Sequence, residues 1–287
     1  HCGPELTAAR LTANNRIPPL TVRVNTLKTD PAALRERLAT EGVTARAGRF
    51  SPAALILETW EAPPTSLASY QEGLWLFQDE AAQLVSYLLP IRPGARLAEI
   101  GAGRGGKTTQ VAEAMADTGL LAAVDSHRGR LHELQINVRR AGVRMVLPIR
   151  ADAAAALPLK AASLDAAVLD VPCSALGILR RHPEIKTRLR ETDLDTFPPR
   201  QRGMLEETAR ALKPGGHLLY ITCTTEPEEN ETQIEAFLSR HPDFHLATDP
   251  GRLPAPARDL VQPPGWFRTS SADHDLDALF AAVLAKS

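Results

Sequence analysis

The sequence predicts an α/β protein: a mostly parallel, doubly wound sheet with helices on both faces, preceded by a small α+β unit. Three observations carry this. From Pro93-Gly94 onward, apolar runs of strand length alternate with segments whose apolar residues recur at helical spacing, the pattern of a parallel sheet with crossover helices. Early in that region an apolar strand passes through a glycine-rich loop into a helix, Leu97-Ala98-Glu99-Ile100-Gly101-Ala102-Gly103-Arg104-Gly105-Gly106-Lys107-Thr108-Thr109. Before Asp79 the pattern changes to short strands around one well-capped helix, so the division expected is 1–77 and 78–287.

In order, Leu6 to Asn15 reads as a helix ended by Pro18-Pro19, and Leu20 to Asn25 as an alternating strand. Asp30-Pro31 sets the cap and first position of a helix with Leu34 and Leu38 inward and Gly42 as its stop. Leu55–Leu57 and Leu74–Phe77 are short strands. Asp79 caps a helix bearing Leu84, Val85, Leu88 and Leu89, stopped by Pro90. The sheet strands expected are Arg96–Gly101, Leu120–Asp125, Met145–Arg150, Ala166–Asp170, His217–Cys223 and Leu279–Leu284. Arg128–Ala141 and Arg202–Leu212 are helices between them, and Thr225-x-x-Glu228 reads as the cap of another carrying Ile234, Phe237 and Leu238. Ligands of open α/β sheets collect at the carboxyl ends of strands, where Glu99, Asp125, Asp152, Asp170 and Cys223 fall.

Composition bounds the function. At 287 residues, 44% apolar and 23% charged, the chain can build one large or two modest domains. It carries neither a membrane-length apolar run nor a signal-peptide pattern, so the cytoplasm is the expected location. A start at His1-Cys2-Gly3 without Met leads us to expect a processed or truncated product. Cys2, Cys173 and Cys223 lack paired spacing, which argues for free thiols, against a disulfide framework and against a metal site. A net charge of -1 exerts no global pull on a polyanion. Nucleic-acid binding would rest on local patches: Arg139-Arg140 with Arg144, Arg180-Arg181 with Lys186, Arg188 and Arg190, or Arg200 with Arg202. Each alone reads more readily as a solvated face.

The glycine loop is ambiguous. Gly101-x-Gly103-x-x-Gly106 fits a dinucleotide fingerprint, Gly101-x4-Gly106-Lys107-Thr108 fits a phosphate-binding P-loop, and the same stretch serves as the first motif of an S-adenosylmethionine methyltransferase. In a triphosphatase Asp170 would bind magnesium, and in a dehydrogenase Asp125 would hold a ribose, but both leave Cys173 and Cys223 idle. Leu169-Asp170-Val171-Pro172-Cys173-Ser174 follows one strand and Ile221-Thr222-Cys223-Thr224 ends the next, so the two thiols are expected side by side. A lone free cysteine is ordinarily structural; two beside the cofactor crevice point to chemistry. Carbon 5 of cytosine is too weak a nucleophile for methyl transfer until a thiolate adds at carbon 6, which is covalent catalysis. The ring must then gain a proton or hydrogen bond at nitrogen 3, a task for an acid such as Asp170.

At these residues the sequence resembles the Sun/Fmu family of RNA cytosine-5 methyltransferases. The resemblance runs from about Leu20 to the end and includes Arg23-Val-Asn-Thr-Leu-Lys28, Gln78-Asp79-Glu80-Ala81, Arg180-Arg181-His182-Pro183, Lys213-Pro214-Gly215-Gly216 and Pro227-Glu228-Glu229-Asn230. It implies a class I, Rossmann-like methyltransferase domain with a seven-stranded sheet after an RNA-recognition-like unit, acting as a monomer. It also implies that Cys223 is the nucleophile, that Cys173 assists release, and that Asp170 and Lys107 contact the target base. The cofactor set expected for S-adenosylmethionine is Glu99, Gly101, Ala102, Gly103, Arg104, Gly105, Gly106, Lys107, Asp125, Arg130, Asp152 and Asp170. Ribosomal RNA is the expected substrate, with transfer RNA, DNA or a non-catalytic RNA-binding role as alternatives. Leu20 to Phe77 with Arg180-Arg181-His182 is expected to form one side of the RNA surface.

The chain departs from the family where Glu99-Ile-Gly-Ala-Gly-Arg-Gly-Gly-Lys107 replaces the usual Asp-x-Cys-Ala-Ala-Pro-Gly-Gly-Lys, putting Arg104 in place of Pro. Thr187 stands where the family has Trp, and Thr196-Phe-Pro-Pro199 is unusual.

Overall fold

The computed structural model describes residues 3–287, so Cys2 lies outside the described residues. The first unit comprises α1 (Pro4–Ala13), β1 (Leu20–Val24), α2 (Pro31–Thr40), β2 (Val43–Ala47), β3 (Ala54–Trp60), α3 (Ala68–Gln71) and β4 (Trp75–Phe77). Its strands pair antiparallel in the order β2-β3-β1-β4. The Asp30 carboxylate accepts from the Ala32 and Ala33 amides at 2.9 and 3.0 Å, as its cap position predicts. Val22, Val24, Leu34, Leu38, Leu55, Leu57 and Trp75 fill the core. β2 was not expected. It is an edge strand that buries only Val43, so it carries no alternation to read.

The second unit continues with α4 (Glu80–Tyr87), β5 (Arg96–Ile100), α5 (Gly106–Ala114), β6 (Leu120–Asp125), α6 (Arg128–Ala141), β7 (Val146–Arg150), β8 (Leu164–Asp170), α7 (Ile185–Arg188), α8 (Phe197–Ala211) and β9 (Leu212–Thr222). It ends with α9 (Glu231–Arg240), β10 (Phe244–Leu246), β11 (Val261–Gln262), β12 (Trp266–Arg268) and β13 (Phe280–Lys286). The sheet order is β11-β12-β13-β9-β8-β5-β6-β7, with β10 also on β13. β7, β6, β5, β8 and β9 are parallel and β13 runs antiparallel to β9. The sheet has nine strands rather than the expected seven, because a short β11–β12 hairpin extends the β13 edge. Period-two alternation sends Leu97, Leu121, Val168 and Leu219 into one apolar layer and Ala98, Val124, Leu169 and Leu218 into the other.

Two boundaries differ for identifiable reasons. α8 begins at Phe197, five residues before the expected Arg202, because Pro198 and Pro199 sit in its first turn, where a missing N–H costs no helical bond. α9 begins at Glu231 and not after Thr225; a 3-10 turn, Pro227–Glu229, intervenes, and the Glu229 and Asn230 side chains are engaged elsewhere.

The seam between the units is polar and buried. Arg23, with no exposed surface, donates to the Gly106 carbonyl at 2.6 Å, Thr109 Oγ1 at 2.7 Å, Glu113 at 2.8 Å and Gln78. Asn25 Nδ2 donates to the Gly73 and Ala141 carbonyls, both at 2.8 Å. Lys28 Nζ donates to the Glu72 and Arg140 carbonyls. The Arg23-to-Lys28 motif thus latches the first unit onto α5 and the end of α6. Gly73 completes the seam: its φ is +72°, and a Cβ there would lie 1.8 Å from the Arg140 carbonyl oxygen. Gly73→Ala should therefore destabilise the protein by about 3 kcal/mol or more in urea unfolding, combining left-handed strain with backbone displacement; an unchanged midpoint would show that the seam yields freely.

Candidate active site

The parallel pairing of β8 with β9 aligns Asp170 with Ile221, so the segments leaving both strands emerge side by side. Cys173 Sγ lies 3.2 Å from Cys223 Sγ and accepts from the Cys223 amide at 3.3 Å. Two adjacent residues fix the flanking loops. The buried Glu229 carboxylate accepts from the Ser174 amide at 3.0 Å, the Ser174 hydroxyl, and Gln201 Nε2 at 2.8 Å. Asn230 accepts from the Thr222 hydroxyl and donates to the Thr224 carbonyl at 3.1 Å, bracketing Cys223. Sequence reasoning singled out Pro227-Glu228-Glu229-Asn230 as a motif but gave it no role; only the fold brings it beneath both thiols.

Lys107, in the first turn of α5, reaches across to Asp170 at 2.8 Å. Burial alone would lower its pKa, but Asp170, Glu99 and Cys223 together hold it above the ordinary value. The Cys223 thiol is pushed well above 9.0 by its bond to Cys173, by burial and by Asp170, with Lys107 acting the other way. Lys107 is thus outweighed while the two thiols remain hydrogen-bonded to each other.

Gly101, Gly103, Arg104, Asp125, Arg130, Asp152 and Asp170 line one cavity of about 650 Å³ at the carboxyl ends of β5, β6 and β8. Asp125 is organised by its own loop: it accepts from the Gly103 amide at 3.0 Å and the His127 amide at 2.7 Å. The cavity also takes in Ser126, His127, His182, Arg200 and Met204, none of which had been assigned to a cofactor; Arg200 pairs with Asp152 at 3.3 Å. The remaining expected cofactor residues do not line it. Ala102 is buried, Gly105 backs onto Leu134, Gly106 faces a different cavity and Lys107 turns to Asp170. Gly101 has a packing reason for lacking a side chain: with φ +80°, a Cβ would lie 2.0 Å from the Asp170 carbonyl oxygen.

Glu99 is 1% exposed beneath this loop, with Oε2 unpartnered. Burial raises its pKa from 4.5 to about 7, against opposing effects of Thr108 and Lys107. Between those values the folded state holds a proton that the unfolded state has lost, so the stability contribution is full below pH 4.5 and disappears as pH rises through 7. Glu99→Gln should flatten the fall in unfolding free energy across pH 5–7, leaving the variant the more stable at pH 8 by up to about 3 kcal/mol. Parallel pH curves for the two proteins would remove Glu99 as the source.

The basic patch at Arg180-Arg181 is not an open RNA surface. Arg180 is 7% exposed and binds Asp275 at 2.7 Å and Asp277 at 3.0 Å; Arg181 binds Asp277 at 2.6 Å and Asp79 at 2.7 Å. These arginines neutralise two carboxylates enclosed between α4 and the segment before β13. Arg140 is likewise occupied, stacked 3.8 Å over the Tyr70 ring and donating to the Tyr70 and Trp75 carbonyls. Arg180→Ala leaves buried charge uncompensated and should cost about 3–5 kcal/mol in urea unfolding. A variant of unchanged stability with weakened RNA binding would restore the surface role.

The sheet order, the glycine loop and the cavity together define a Rossmann-like fold of the methyltransferase type carrying two adjacent thiols. Comparison with known proteins places it more narrowly. Residues 86–285 match the family model described as 16S rRNA methyltransferase RsmB/F, and residues 2–61 match the RsmF/B-like ferredoxin-like domain. The chain belongs to this RsmB/F family of methyltransferases. It is 34% identical over 274 residues to a probable ribosomal RNA small subunit methyltransferase B of Synechocystis sp., covering 95% of this chain and 61% of that protein. It is 35% identical to the ribosomal RNA small subunit methyltransferase B of Pseudomonas syringae pv. tomato, covering 91% and 58%. The chain thus spans about six tenths of the length of these relatives. Among solved structures, a methyltransferase homolog from Pyrococcus horikoshii superposes with a TM-score of 0.81 at 26% identity, covering 99% of this chain and 91% of the other. No helix among the described residues is long and apolar enough to cross a membrane.

Proposed function

We propose that this chain transfers a methyl group from S-adenosylmethionine to carbon 5 of a cytosine in small-subunit ribosomal RNA, through a covalent adduct between Cys223 and carbon 6. The observation that carries this reading is the pair of thiols 3.2 Å apart beside the Lys107–Asp170 pair. The names of the relatives support the RNA class. The cavity fits the donor: the polar backbone of Gly101 and Gly103 forms one end, and the Asp125 carboxylate, held by two amides, keeps lone pairs free for ribose hydroxyls. When bound there, the donor supplies an electrophilic methyl group.

The chain's residues then divide the work. Deprotonated Cys223 adds to carbon 6, while the Lys107–Asp170 pair offers a donor and an acceptor to the ring edge, so negative charge arriving at nitrogen 3 is neutralised as the carbon–sulfur bond forms. Carbon 5, now part of an enamine, takes the methyl. Loss of the carbon 5 proton to a base then expels the Cys223 thiolate and restores the aromatic ring. In this reading Cys173, whose sulfur lies 3.2 Å from that of Cys223, assists the release. Cys223 must first leave its bond to Cys173, the contact that most strongly raises its pKa, so base entry between the thiols and nucleophile activation coincide.

The two cysteines give opposite outcomes in one experiment. With a 16S ribosomal RNA transcript and the methyl donor, Cys223→Ala should form no adduct and lose methylation. Cys173→Ala should methylate but stay joined to RNA, appearing as a retarded band on a denaturing gel. Dependence of the adduct on Cys173 alone would indicate the mechanism of DNA cytosine-5 methyltransferases. Adducts formed on transfer RNA or DNA but not on the ribosomal transcript would reassign the substrate, and folded variants with no adduct on any of them would leave a non-catalytic RNA-binding protein.

A further inference from the structure

A second cavity, of about 400 Å³, opens where β4 and α3 of the first unit meet α6 and the glycine loop. Tyr70 and Phe77 line one wall, backed by the buried Trp75. Tyr70, Trp75 and Phe77 form one ring cluster, with Phe77 at 5.1 Å from Trp75 and 5.9 Å from Tyr70. Trp75 is buried in the core, whereas Phe77 remains 40% exposed, and Ile136 on α6 faces the same space at 51% exposure. Arg140 is held by the Tyr70 ring and two carbonyls, so the cation open to this space is Arg104, whose side chain is 74% exposed, is paired with Glu133 at 2.7 Å and also lines the larger cavity.

Gly106 gives an independent indication of a ligand. It starts α5 without a left-handed φ, and a Cβ built on it would meet nothing within 4 Å. Neither backbone conformation nor packing within the chain calls for glycine there, and glycine is a poor helix residue. What the missing side chain leaves is open space in this cavity, one residue before Lys107 and its contact with Asp170.

We propose that this cavity is a subsite for the base of a nucleotide flanking the target cytosine in single-stranded RNA, stacked on Phe77 with its phosphate toward Arg104. The inference rests on the function proposed above, since it is the RNA placing its cytosine at Lys107 and Asp170 that carries a neighbour past Gly106. An exposed ring, an apolar wall and a local positive charge are what unpaired nucleotides require, because every base offers a face to stack and every linkage a phosphate to neutralise. Such a contact tolerates different bases, so the subsite selects for unstacked RNA more than for one sequence.

Single-stranded oligoribonucleotides carrying one cytosine with the fluorescent base 2-aminopurine on its 5′ or 3′ side test this directly. For one of the two, fluorescence should be quenched on binding. Phe77→Ala should abolish the quench and weaken affinity about five- to a hundredfold, the usual range for one lost base–aromatic stack. Phe77→Tyr should retain both, and binding of S-adenosylhomocysteine should be the same in all three proteins. If the oligonucleotides bind and receive methyl groups but Phe77→Ala behaves as the parent, or if neither probe is quenched, the subsite is wrong and the proposed function stands. If the protein binds neither these oligonucleotides nor ribosomal transcripts, the functional reading itself fails and the subsite with it.

Discussion

The thiol pair depends on the parallel register of β8 and β9, which brings two loops with no sequence proximity to the same point. Register alone would leave Cys173 and Cys223 on loops free to separate. Glu229 and Asn230 prevent that, one holding the loop after Cys173 and the other gripping both neighbours of Cys223. A buried carboxylate is tolerable because three donors reach it. The same engagement explains why α9 starts late, since the two residues that could have opened the helix serve the thiols instead.

Electrostatics around the thiols describe a resting state. Mutual hydrogen bonding and burial hold Cys223 protonated, and the nearby ammonium of Lys107 is committed to Asp170. Under the proposed function, this arrangement protects the thiol from unproductive reaction until its contact with Cys173 is exchanged for substrate. Glu99, buried below the glycine loop with an unpartnered oxygen, belongs to the same economy of charge: its raised pKa reflects the cost of an anion so close to the reaction crevice but walled off from it.

The first unit is fastened by polar bonds at a seam where an apolar interface might have been expected. Arg23 reaches the start of α5, at the edge that carries the site, whereas Asn25 and Lys28 reach the end of α6, at the opposite edge of the sheet. Movement of this unit would therefore be felt at Gly106 and Lys107. Arg23, Asn25 and Arg180 are buried architecture; the arginines that line the cavity at the glycine loop are Arg104, paired with Glu133, Arg200, paired with Asp152, and Arg130.

The sequence by itself determined the strands and helices wherever periodicity and caps were strong. β6 and α6 fall where their apolar spacing puts them, Asp30 and Asp79 cap as expected, and adjacency of the two thiols followed from their positions just past consecutive sheet strands. These features are local, or follow from the handedness of strand–helix–strand winding. Edge elements were not legible: β2, β10 and the β11–β12 hairpin are too short or too exposed to impose a pattern, and proline in the first turn hid the start of α8. Tertiary structure decided which charges are free and which are buried. An arginine is the same letter whether it faces solvent or neutralises an enclosed carboxylate from residues about a hundred positions away, as Arg180 and Arg181 do with Asp277. Partners that distant leave no local trace, so the clamp at Glu229 and Asn230, the latch at Arg23 and the open space beside Gly106 became visible only in the folded chain.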